Sequence, residues 1–123
     1  MKATFVETTE FTRSISGSLP DEAYAALQQV LMANPDAGAV MAGCGGLRKI
    51  RAADARRGKG KRGGARVIYL YVPIAKRFYM LDIYGKDEKD DLSADEKKLL
   101  RRLADQLKRE AIAAYERWQR ENQ

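Results

Sequence analysis

The residues best equipped to do chemistry in this chain are cations. Lys49 and Arg51 stand two apart in "LRKIRA", Arg66 opens "RVIYLYV", and Lys86 follows "DIYG". Residues 55–66, "ARRGKGKRGGAR", add six cationic side chains and four glycines, with no acid among them. Side chains two apart on a strand share a face, so Lys49 and Arg51 point the same way. If the strand begun by Arg66 pairs with theirs, and Lys86 ends the next, four cations from three adjacent elements converge on one sheet face. That arrangement suits in-line attack on a phosphodiester, whose transition state concentrates negative charge. The bland alternative is an ordinary polar outer face.

The glycine-rich stretch lacks the G-x-x-x-x-G-K-[ST] spacing of a phosphate-binding P-loop, and no helix follows it. Its glycines let backbone approach a ligand closely or move. Arg56, Arg57, Lys59, Lys61 and Arg62 are placed to neutralise phosphates. Roughly four to six phosphate contacts on single-stranded RNA imply a log–log salt slope of about −3 to −4. A solvated loop that merely tolerates charge is the competing reading. Tyrosines 69, 71, 79 and 84 cluster on two strands. Tyr69 and Tyr71 share a face with Val67. Tyr84 is expected to share one with Phe78, Met80 and Asp82. Most should be core. Tyr84, near the rim, is the best placed to stack on an exposed base, an interaction worth roughly 1–3 kcal/mol.

Composition narrows the chemistry further. The 123 residues include no histidine and a single cysteine, Cys44. His-based triads, His-ligated metals, thiolate cages and internal disulfides are therefore excluded. No cofactor is expected; a carboxylate-held Mg²⁺ stays open, with no recognisable loop pattern for one. The net charge of +6 is unevenly placed: residues 47–66 hold nine Lys or Arg and one Asp, leaving the remainder slightly acidic. A near-neutral body with one cationic sector is the footprint of a polyanion binder. The sequence holds no membrane-length apolar run and no signal-peptide pattern, so the cytoplasm is the expected compartment.

The elements that must position these cations follow from pattern. "ATFVET" (3–8) reads as a strand, and "FTRSIS" as a short helical turn. Ser18 and Asp21 have capping-box spacing and Pro20 suits a first helical turn, so a helix runs to about Asn34. A strand is expected at about 47–53. "ARVIYLYV" (65–72) and "RFYMLDIY" (77–84) are the clearest strands, joined by "PIAK" as a hairpin. Ser93 and Glu96 form a capping box that opens a last helix. Leu99, Leu103, Leu107, Ala111, Tyr115 and Trp118 should form its apolar stripe. The helix is long enough for its end, from about 108 to 123, to project or meet a partner. The sum is a single α+β domain spanning 1–123: an antiparallel β-meander with helices packed on one face and a long C-terminal helix.

The ordered set "GCGGLRKIR", "GKGKRGGARVIYLYV", "FYMLDIYGKDEKDDL" and "SADEKKLLRRLADQLK" resembles the RelE superfamily of type II toxins, in its HigB-like branch. Its most specific part is "GKRGGARVIY" followed by Tyr-Gly-Lys-x-x-x-x-Asp-Leu. The resemblance implies a microRNase-like fold and a cytoplasmic, metal-independent endoribonuclease that cuts mRNA in the ribosomal A site. It implies attack by the substrate's own 2′-hydroxyl, leaving a 2′,3′-cyclic phosphate. It also implies a cognate antitoxin, often a helix-turn-helix protein in this branch. Lys49 and Arg51 match the family's basic pair on the second strand, and Arg66 the arginine opening the next. Where many relatives carry a further Arg and then a Tyr, this chain reads "GKDEKDDL", with Asp87 at the Arg site and Lys86 or Lys89 as substitutes. Without histidine the base must come from elsewhere. A lysine crowded by like charge releases its proton more readily, which suits Lys49 or Lys61. Arg66 would then stabilise the phosphorane and Lys86 assist the leaving oxygen. Two other readings compete: a gyrase-poisoning, ParE-like relative of the same fold, and a non-catalytic nucleic-acid-binding module.

Overall fold

The computed structural model describes residues 1–52, 64–85 and 92–123. Along the chain run β1 (Thr4–Glu7), α1 (Thr9–Ser18), α2 (Asp21–Ala33), β2 (Ala39–Val40), β3 (Arg48–Ala52), β4 (Ala65–Val72), β5 (Arg77–Tyr84) and α3 (Ala94–Glu121). They make an α+β fold around one five-stranded sheet of order β1-β5-β4-β3-β2. β2 to β5 form an antiparallel meander, while β1 lies parallel to β5 with Phe5 beside Phe78. The turn between β4 and β5 is a short 3-10 segment, Pro73–Ala75, closed by Lys76 in the left-handed region at φ 48°.

The helices do not share one face of the sheet. Val67, Tyr69, Phe78 and Met80 pack with Phe11 of α1 and Leu27 and Leu31 of α2. Their chain neighbours Ile68, Leu70, Tyr79 and Leu81 pack on the other side with Ala104, Leu107 and Ala111 of α3. This departs from the one-sided packing expected above, and β4 shows why. "VIYLYV" has no polar residue at alternate positions, the mark of a strand covered on both sides.

Three further details differ from expectation. The segment read as a short turn is a ten-residue helix, α1, whose N-cap Thr8 accepts from the Phe11 amide at 3.1 Å. Because α1 runs through Ser18, that residue cannot cap α2, which starts behind Pro20 without a side-chain cap. On α3 the capping box forms as expected, but the buried line is Ala104, Leu107 and Ala111, with Leu99 and Trp118 left 63% and 58% exposed. Small residues set this rotation. A methyl built on Gly45, itself at φ +70°, would sit 3.1 Å from the Ala104 Cβ, so α3 rides directly on that turn.

Candidate nucleic-acid interface

Arg51 of β3 lies directly opposite Arg66 of β4, which lies directly opposite Tyr84 of β5. Residues paired this way share a face, so the three form one row across adjacent strands, spanning about 10 Å. Lys49, two residues before Arg51, sits on the same face, in register with Ile68 and, beyond it, Asp82. Arg51 is exposed, whereas Lys49, Arg66 and Tyr84 are half-buried. The Arg66 guanidinium donates from Nη1 to the Gly64 carbonyl at 3.1 Å, which ties it to its own strand entry. Two cations at strand ends, a third one row away and an aromatic ring beside them have the chemistry to neutralise phosphate and to stack on a base.

This face belongs to the α3 side of the sheet, and it continues toward that helix. Lys49 and Lys97 line one cavity of about 370 Å³, together with Val40, Met41 and Leu92. A neighbouring hollow, lined by Asp82, Glu96, Glu10 and Leu99, gives the cationic row an acidic border. Neither Lys97 nor Asp82 stood out in the sequence. Lys97 is one of many charges on an amphipathic helix, and only the packing of α3 brings it to Lys49.

Tyr84 reaches this face by a route the alternation rule cannot show. Ile68 pairs with Asp82 but Tyr69 pairs with Met80, so Leu81 is an extra residue, a β-bulge. Beyond it the strand is rephased. Tyr84 keeps company with Asp82 but faces away from Phe78 and Met80, which were expected beside it. The Asp82 carboxylate supports the irregularity by accepting from the Ile83 amide at 2.8 Å.

Adjacent cations have opposite fates. Arg48, next to Lys49, points to the other side and donates from Nη1 to the carbonyls of Gly38 at 2.7 Å and Asp36 at 3.2 Å. Its Nη2 lies 3.5 Å from the Asp36 carboxylate. There it braces the turn that Tyr69 also holds, donating to the Pro35 carbonyl at 2.7 Å and accepting from the Gly38 amide at 3.0 Å. Burial pushes the Tyr69 phenol up from its ordinary 10.0. Tyr69 and Tyr79 are core, as expected of most of the cluster.

Of the eleven residues singled out in the sequence, the structure brings together Lys49, Arg51, Arg66 and Tyr84. Lys61, Lys86, Arg56, Arg57, Lys59, Arg62 and Lys89 lie outside the described residues. Among the described residues no helix is long and apolar enough to cross a membrane. A family model matches residues 8–122, nearly the full chain; its description is "RelE toxin of RelE / RelB toxin-antitoxin system".

Proposed function

Because the chain belongs to the RelE toxin family of toxin–antitoxin systems, we propose that it is a ribosome-dependent mRNA endoribonuclease of the HigB-like type, acting in the cytoplasm. The supporting observation is the row Arg51–Arg66–Tyr84 with Lys49 on the same face. In this reading the 2′-oxygen of the substrate attacks the adjacent phosphorus. The new P–O2′ bond forms as the P–O5′ bond breaks, giving a 2′,3′-cyclic phosphate and a 5′-hydroxyl. Lys49 or Lys61 removes the 2′-proton, and Arg66 stabilises the phosphorane. Lys86 assists departure of the 5′-oxygen, with Lys89 as the alternative. Arg51, Arg56, Arg57, Lys59 and Arg62 hold flanking phosphates, and Tyr84 stacks on a base. Positioned proton transfer supplies about 10²–10⁴ in rate. The ribosome supplies the rest by holding the mRNA in reactive geometry. A cognate antitoxin, of helix-turn-helix type in this branch, restrains the activity.

The test is cleavage of a defined mRNA on purified ribosomes with an empty A site, its new 5′ ends mapped by primer extension. Cuts within the A-site codon that vanish without ribosomes are the expected result. An uncut message on programmed ribosomes, under conditions where the protein is folded, would refute the reading.

A further inference from the structure

At the far end of the sheet from the cationic row, β4 turns into β5 beneath the last turns of α3. Arg77 and Tyr84 bracket β5, so the two ends are roughly 20 Å apart. There the turn and the helix enclose a cavity of about 450 Å³ between Ile74, Lys76, Arg77, Tyr115 and Trp118. Two of its walls are large apolar side chains left open: Ile74 and Trp118 are each 58% exposed. The Trp118 ring leans on Tyr115, with centroids 6.2 Å apart and planes 23° from parallel, so it stands as a stiff plate. The polar wall is cationic. Arg77 sits over the Tyr79 ring at 5.9 Å and donates from Nη1 to the Tyr79 hydroxyl at 3.3 Å. Its Nε is buried with no hydrogen-bond partner among the described residues.

Each feature asks for something a partner supplies. The half-buried Arg77 guanidinium presents a partly desolvated cation to the cavity, and a carboxylate pairs with such a group in a charge-assisted hydrogen bond. Lys76 adds a second positive charge at the rim. Exposed Trp and Ile around a concave centre are the composition of an interface anchor, where Trp and Arg carry most of the energy. A nucleic-acid backbone matches this poorly, because it offers phosphates to two cations and nothing to the aliphatic wall.

We propose that this cavity is the docking site for an acidic peptide segment of the cognate antitoxin. The segment places an aromatic or aliphatic side chain between Ile74 and Trp118, and a carboxylate on Arg77 and Lys76. The family assignment supplies the partner, and charge complementarity selects the segment. The anchor lies apart from the RNA-facing row, so it stands whether or not the mRNA-cleavage reading holds.

Two measurements test it. The chain has one tryptophan, so toxin labelled with 5-fluorotryptophan gives a single ¹⁹F resonance. Addition of unlabelled cognate antitoxin should move that resonance; an unchanged one in the saturated complex overturns the proposal. Antitoxin affinity is then measured by calorimetry for Trp118→Ala, Ile74→Ser and Lys76→Glu, all at exposed positions, in an Arg66→Ala background that allows the toxin to be produced. Trp118→Ala should weaken binding at least about 30-fold, and Ile74→Ser and Lys76→Glu about 10-fold each. Affinities within twofold of the parent in all three overturn it. So does a Trp118→Ala toxin that binds antitoxin normally but has lost translation inhibition, since the surface would then be a ribosome contact. A free toxin that is dimeric and becomes monomeric on Trp118→Ala overturns it as well, assigning the cavity to a second copy.

Discussion

Arg66 is the residue on which the proposed chemistry leans hardest. It sits between Arg51 and Tyr84, held by Gly64, where three adjacent strands present functional groups in one row. Removing a preorganised donor from a developing phosphorane costs about 10²–10³ in rate. Arg66→Ala should therefore lower single-turnover cleavage on ribosomes by that factor while its unfolding midpoint in urea stays within experimental scatter. Arg48→Ala should do the reverse. It removes bonds to Gly38 and Asp36 and costs about 1–2 kcal/mol in urea unfolding, yet folded protein keeps its cleavage rate. Ionisation of tyrosine gives a third test. Both Tyr24 and Tyr69 are raised above 10.0, each chiefly by burial, and Tyr24 also by the Glu7 carboxylate it donates to at 3.1 Å. A group that holds its proton more tightly when folded contributes fully below its unfolded value and is lost as pH rises through the folded one. Melting temperature should fall as pH climbs above about 10, and Tyr69→Phe should shrink that fall while lowering stability at neutral pH. A melting temperature flat from pH 9 to 12 would contradict this.

Among the elements, the turn over residues 43–46 and the bulge at Leu81 do the positioning. Gly45→Ala puts a methyl 3.1 Å from the Ala104 Cβ at φ +70°, a conformation that L side chains avoid. It should cost about 1–3 kcal/mol in thermal or urea unfolding. Cleavage should drop with it, because the cavity that Lys49 lines takes its shape from α3 seating on this turn. β4 and β5 were legible to the residue because β-branched and aromatic side chains make up at least half of each. The capping box at Ser93 was legible because its chemistry is local. The bulge was not, since nothing in "MLDIY" distinguishes a continuous alternation from one with an extra residue. Its position is decided by pairing with Ile68 and Tyr69. The helices were placed on one face because periodicity marks an apolar stripe without saying which side of the sheet receives it. For the same reason Lys49, Arg51 and Arg66 could be grouped from strand alternation, while the place of Lys97 and the bonds of Arg48 to Gly38 and Asp36 could not. Both depend on contacts between residues far apart in the chain.

Taken together, the fold has two ends to which the proposals assign work. One gathers cations and a tyrosine where β3, β4 and β5 meet. The other leaves Trp118 and Ile74 exposed beside Lys76 and Arg77. They differ in charge density: residues 47–66 hold nine Lys or Arg and one Asp, while the second end carries Lys76 and Arg77 beside an apolar wall. Binding at the first end should weaken steeply with salt, at a log–log slope of about −3 to −4 for RNA. Antitoxin binding at the second, with its apolar core, should be less sensitive. The most direct test of the account is 5′-end mapping of a reporter transcript in cells after brief induction of the wild-type chain and of Arg66→Ala at matched soluble levels. The account predicts new ends inside translated codons for the wild type, absent in untranslated regions, and at least a hundredfold fewer for the variant. Growth arrest with an intact transcript, or equal cleavage by the two proteins, would contradict it.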